Sequence, residues 1–155
     1  KAQDAAISAF RRGTGAGKEY NTQITALERA TYDSGITAAD AGKTYQALFT
    51  SMSSFTQLNK AEQQQISKTT ALLETQGVSA GTSAKIMDQM TRSLGKSAGD
   101  SNDIMLRLAG SAKSLGVPMG KLADDFAASF GELAKYGDGA IDVFEGLAHI
   151  LDPVR

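Results

Sequence analysis

An all-α fold is predicted by three features of this 155-residue sequence. Proline stands only at Pro118 and Pro153. Between the glycines, Ala, Gln, Lys, Glu, Leu and Met dominate, and these residues favour helix. Apolar residues recur at steps of three and four, the spacing that gathers side chains on one stripe of a helix. No stretch reads as a strand, and about eight short amphipathic helices are expected.

The elements follow in order. Residues Ala2 to Arg12 form a short first helix with frayed ends, and the glycine-rich GTGAGK after it reads as a linker. Residues 1–17 therefore stand apart from a single helical unit over 18–152, with 153–155 a tail leading out of it. Tyr20, Ile24 and Leu27 mark a second helix. After Gly35, the residues Ala41, Tyr45, Leu48, Phe49, Met52 and Phe55 mark one stripe that must be buried. Weaker stripes follow at Ile66, Thr69, Leu73, then at Met87, Met90, Leu94, then at Ile104, Leu108, Leu115. Two strong ones close the chain: Leu122, Phe126, Phe130, Leu133, and Ala140, Phe144, Leu147, Leu151. Start signals fit these bounds. Thr37 with Asp40 and Asn59 with Glu62 have capping-box spacing, Ser79, Asp100 and Asp138 can cap, and Pro118 suits a first helical turn.

Gly35, Gly77 and Gly116 punctuate the chain at intervals of 42 and 39 residues. Each is followed by a β-branched residue (Ile36, Val78, Val117) and then by Thr37, Ser79 or Pro118. Glycine can close one helix in the left-handed conformation while the next residue but one opens another, so each site reads as a hinge. Counting from each hinge, apolar residues fall in register: Ile24, Ile66, Met105 before it, and Tyr45, Met87, Phe126, then Met52, Leu94, Leu133 after it. This register predicts αα-hairpin repeats of about 40 residues.

Composition narrows the function classes. Sixteen Lys+Arg against seventeen Asp+Glu give a net charge of −1, without the clustered positive charge of a nucleic-acid binder. No cysteine is present, which removes disulfides, thiol catalysis and thiolate metal sites. No apolar run is long enough for a transmembrane helix, and the first residues lack a signal peptide's apolar core. A chain starting at Lys1 reads as a fragment of something longer.

Candidate chemistry is sparse. In GTGAGK, Gly17-Lys18 is followed by Glu19 and preceded by a helix, whereas a phosphate-binding loop of the Walker type needs Ser or Thr there and a strand before. His149 is the single histidine, so a His-pair metal site or a Ser-His-Asp triad lacks parts. Asp124-Asp125 point to different sides of a helix, and Glu132, Asp138, Asp142 and Glu145 fit helix starts or polar faces. Carboxylate pairs need an apolar pocket to separate their pKa values, and none is visible. Met87, Met90, Met105 and Met119 read as core filling, with an adaptable partner groove as the alternative. No catalytic residue, cofactor or metal is expected.

The motif G-[IV]-[ST]-A, at Gly35-Ile36-Thr37-Ala38 and Gly77-Val78-Ser79-Ala80, carries a family resemblance, together with the run from Ser111 to Ala148. Within that run the strongest parts are Leu115-Gly116-Val117-Pro118, Leu133-Ala134-Lys135-Tyr136-Gly137 and Ala140 to Leu147. Over residues 20 to 150 the chain resembles the helical regions of bacteriophage tail tape measure proteins. The resemblance implies a virion protein inside the tail tube that sets tail length during assembly and leaves through the tail tip at genome delivery. It implies association with other copies, often as a trimer, and contact with tail tube, baseplate hub or tail-tip proteins. It also permits contact with the host membrane on ejection, and implies no specific nucleic-acid binding. The three hinges depart from the long uninterrupted helix of the family's length-measuring part, so the chain is expected in a folded or partly folded terminal region. A soluble αα-hairpin interaction module is the alternative. The packing stripe expected to carry either role comprises Tyr45, Leu48, Met52, Met87, Leu94, Phe126, Phe130, Leu133, Phe144 and Leu147.

Overall fold

The computed structural model describes residues 2–151, with the side chains of residues 137–138 and 147–151 outside the description. Among the described residues there are eight α-helices and no strand: α1 (Ala2–Thr14), α2 (Asn21–Ala30), α3 (Ala38–Ser51), α4 (Lys60–Glu74), α5 (Ala80–Ser93), α6 (Ala98–Leu115), α7 (Met119–Leu133) and α8 (Ala140–Leu151). Short 3-10 turns occupy Tyr32–Ser34, Phe55–Gln57 and Ala134–Gly139.

The helices stack in two layers. Helices α2, α4, α6 and α8 lie side by side in one layer, and α1, α3, α5 and α7 in the other. Each helix also touches its successor across the layers, from α1 against α2 to α7 against α8. The core runs between the layers. Ile24, Ile66 and Met105 are buried in it on the first layer, and Tyr45, Met87 and Phe126 on the second.

Helix starts follow side-chain chemistry. Thr37 and Asp40 form a reciprocal capping box on α3, and Asn59 and Glu62 form another on α4. Ser79 caps α5 through the Thr82 amide. Asp100 does not cap α6; Ser97 does, accepting from the Asp100 amide at 3.0 Å, which leaves Asp100 in the first turn where its charge suits the helix dipole. Pro118 occupies the position just before α7, extended at ψ 133°.

Helix ends differ more from expectation. Gly77 and Gly116 are left-handed, at φ 94° and 69°. The Val78 amide reaches the Leu73 carbonyl and the Val117 amide the Ala112 carbonyl, which closes α4 and α6 as Schellman motifs. Gly35, at φ 83°, closes the 3-10 turn Tyr32–Ser34 instead of α2. Helix α2 already stops at Ala30, where the Thr31 hydroxyl donates back to the Leu27 carbonyl at 2.6 Å. Gly95, at φ 65°, is a further left-handed glycine, between α5 and α6.

Two side chains on the expected stripe are placed differently. Phe55 is not on α3, because the chain turns extended at Met52 (φ −110°, ψ 100°); the following 3-10 turn still returns Phe55 to the core. Leu94 is half-buried at the C-cap of α5, packed against the core's edge. Tyr45, Leu48, Met52, Met87, Phe126, Phe130, Leu133 and Phe144 are buried. Leu147 and His149 lie among the side chains outside the description, as does Asp138.

Candidate functional site

The buried polar side chains concentrate where α2, α3 and α4 meet. Tyr45 projects from the core face of α3 and is fully buried. Its hydroxyl donates to Gln23 Oε1 on α2 at 3.0 Å and lies 3.1 Å from the Ser67 hydroxyl on α4. Gln23 Nε2 donates to Gln63 Oε1 at 3.0 Å, and Gln63 Nε2 donates to the Phe55 carbonyl at 2.8 Å. The Phe55 carbonyl therefore ends a directional chain of donors that begins at Ser67. Burial pushes the Tyr45 phenol up to about 12, against the Ser67 hydrogen bond, which lowers it.

Aromatic rings surround this chain on the α1 side. Phe10, on α1, meets Tyr20 and Tyr45 edge-on at centroid distances of 5.7 and 6.4 Å, and Tyr20 stacks on Phe55 at 6.1 Å. Helix α1, expected as a frayed segment, thus runs on to Thr14 and places Phe10 at 1 % exposure in the core. Gly13 belongs to α1 and packs on Gln46, so part of the expected linker is helical.

A cleft of about 270 Å³ opens over the polar chain between α2 and α4, with Ala26, Leu27 and Ala30 on one wall and Gln64, Gln65 and Lys68 on the other. Tyr45 and Ser67, both buried, lie beneath it. Other depressions are more open, including one of about 650 Å³ beside Tyr32 and one of about 430 Å³ beside Arg107.

No family model, curated protein or solved structure matches the chain. The tape measure resemblance thus rests on the residues that carry it. Among the described residues no group of three or more His, Asp or Glu converges as a metal site, and no helix is long and apolar enough to cross a membrane.

Four of the carboxylates considered for chemistry, Asp125, Glu132, Asp142 and Glu145, are engaged in surface ion pairs. Asp142 and Glu145, three residues apart on α8, both pair with Arg107 of α6, and the Ser111 hydroxyl donates to Glu145. These bonds, the Glu145 one first, push the Arg107 guanidinium above its ordinary value. Asp125 pairs with Lys121 and Glu132 with Lys135, each at 3.1 Å along the surface of α7 or just past it. Asp88 is a different case, being buried on α5. Its Oδ1 accepts from both the Ser53 amide (3.0 Å) and the Ser53 hydroxyl (2.9 Å), and its other oxygen meets Arg92 at 2.9 Å.

Sequence reading missed the glutamines and Asp88. A signal for the first was present: Gln23 stands between Tyr20 and Leu27, and Gln63 three residues before Ile66, at core spacing. A polar residue on an apolar stripe asks for a buried partner. Asp88 carries no such mark, because its partner lies 35 residues away.

Proposed function

We propose that this chain is a structural segment of a bacteriophage tail tape measure protein, acting by packing against copies of itself and against tail tube or tail-tip proteins. The supporting observation is the pairing of hinge sequence with layered stacking. The glycines of G-[IV]-[ST]-A and LGVP stand in left-handed turns, and the helices that flank them pack in two layers. Repeated αα-hairpins are the natural reading of that arrangement, since each pair buries its apolar face only against its neighbours. In this reading the segment is a folded terminal region, set off from the continuous helix that measures the tube.

A second reading draws on the same stacking: a soluble αα-hairpin module that binds a peptide or helix along one layer. Size-exclusion chromatography with light scattering separates the two. The tail segment gives a multimer. A folded monomer at every concentration favours the interaction module and counts against the first reading.

A further inference from the structure

The face of α6 turned away from the core carries an ordered stripe. Asp103, Leu106, Gly110 and Lys113 are all exposed and follow one another at steps of three, four and three residues, the spacing that holds side chains along one line of a helix. Leu106 is 50 % exposed in the middle of the helix. One exposed leucine is ordinary by itself, so the weight falls on what shares its stripe. Gly110, one turn further on, leaves a notch: a Cβ there would meet nothing within 4 Å. Open depressions of about 380 and 430 Å³ flank this notch, one towards Gln76 and one towards Glu145. Arg107 on the same helix is taken by Asp142 and Glu145, whereas among the described residues Asp103 and Lys113 make no ion pair.

The four residues are arranged symmetrically. Leu106 and Gly110 lie two residues either side of Leu108, and Asp103 and Lys113 lie five residues either side of it. A two-fold axis at that level turns α6 onto an antiparallel copy of itself. The leucine of each chain then enters the glycine notch of the other, and the aspartate of each meets the lysine of the other. Both contacts occur twice, as an interface between two identical patches requires. Charge sets the direction. In a parallel pair at the same level each Asp103 would face Asp103 and each Lys113 would face Lys113, and like charges placed opposite one another repel.

We propose that the outer face of α6 is a self-association surface, on which a second copy of this chain packs antiparallel with Leu106 against Gly110 and Asp103 against Lys113. The inference rests on the reading that copies of the chain associate, and adds to it the surface and the two-fold symmetry.

The test is analytical ultracentrifugation of the chain over a concentration series, which should show a dimer. Leu106→Lys should shift it to monomer, with circular dichroism showing unchanged helix content. Asp103→Lys and Lys113→Asp should each weaken the dimer by about tenfold, because two exposed ion pairs become two repulsions. The double variant Asp103→Lys/Lys113→Asp should restore the original affinity. That rescue cannot arise within one chain, since the two residues lie about 15 Å apart along α6. A double variant as weak as the single ones, a dimer that survives Leu106→Lys, or a trimer would overturn this surface and leave copy-to-copy packing standing. A monomer at every concentration would overturn the surface together with the tail reading.

Discussion

Gly120 in the first turn of α7 sits against the carbonyl oxygen of Gly77: a Cβ at position 120 would stand 2.6 Å from that oxygen. Gly77 and Gly120, 43 residues apart in sequence, thus meet backbone to backbone, and the absence of a side chain is what lets α7 stack on the turn that precedes α5. Gly81 holds the equivalent place four residues after Gly77, yet a Cβ there meets nothing within 4 Å.

The first prediction is this contrast. Gly120→Ala forces the α7 turn off the Gly77 carbonyl and should destabilise by about 1–3 kcal/mol, the range for overpacking. Gly81→Ala should be neutral or stabilise by up to about 1 kcal/mol through helix propensity. At this chain length each kcal/mol moves the melting point by about 2–4 °C, so thermal unfolding followed by circular dichroism resolves the pair. Equal melting points for the two variants would remove the close approach from the fold's requirements.

Tyr45 gives the second. Tyr45→Phe leaves Gln23 Oε1 buried without its donor, which should cost about 1–3 kcal/mol in denaturant unfolding.

The same residue predicts a pH dependence. The folded phenol loses its proton near 12, above the ordinary value of 10.0, because burial disfavours the phenolate. Its contribution is fully present below about pH 10 and is lost as pH rises from about 10 to about 12, with a size on the order of 2–3 kcal/mol. Stability measured across that window should fall less steeply in Tyr45→Phe than in the unaltered chain. Parallel curves would show that Tyr45 ionises freely.

Asp88 fixes the exit from α3. Asp88→Ala removes the acceptor of both the Ser53 amide and hydroxyl, and should cost about 1–3 kcal/mol. Asp88→Asn keeps an acceptor and loses the charge that meets Arg92, so its cost should be smaller. Hydrogen exchange at the Ser53 amide reads the difference directly, with faster exchange in the alanine variant. Unchanged exchange there would show that another group holds the turn.

Helix α8 has both an ionic and an apolar attachment, and their weights should differ. Arg107 is half-exposed, so Arg107→Ala should cost no more than about 1 kcal/mol. Phe144 is buried and meets Phe126 edge-on at 5.0 Å, so Phe144→Ala should cost about 3–5 kcal/mol. Chemical unfolding of the two variants ranks them. An Arg107 effect equal to the Phe144 effect would make the ion pairs the anchor of α8.

Much of the fold was legible because local chemistry and burial agree. The stripe from Tyr45 to Met52 reads as a helix, and the boxes at Thr37 and Asn59 start helices where spacing places them. Phe55 shows the limit, since a buried residue one turn further on kept the period although the chain had left the helix at Met52. That exit depends on Asp88, which local spacing does not register. The same holds for the polar cleft. Gln23 and Gln63 could be recognised as polar residues at core positions, but their pairing across 40 residues exists only once α2 and α4 lie side by side. Phe10 was hidden by its flanks, because alanines, arginines and glycines around it read as a fraying end while the ring itself fills the space beside Tyr20.

The central claim, that the chain works by packing inside a phage tail, is tested most directly by cross-linking mass spectrometry on purified virions that contain it. Cross-links should join residues of this segment to other copies of itself and to tail tube or tail-tip proteins. A segment that links to no tail protein and behaves as a monomer when isolated would contradict it.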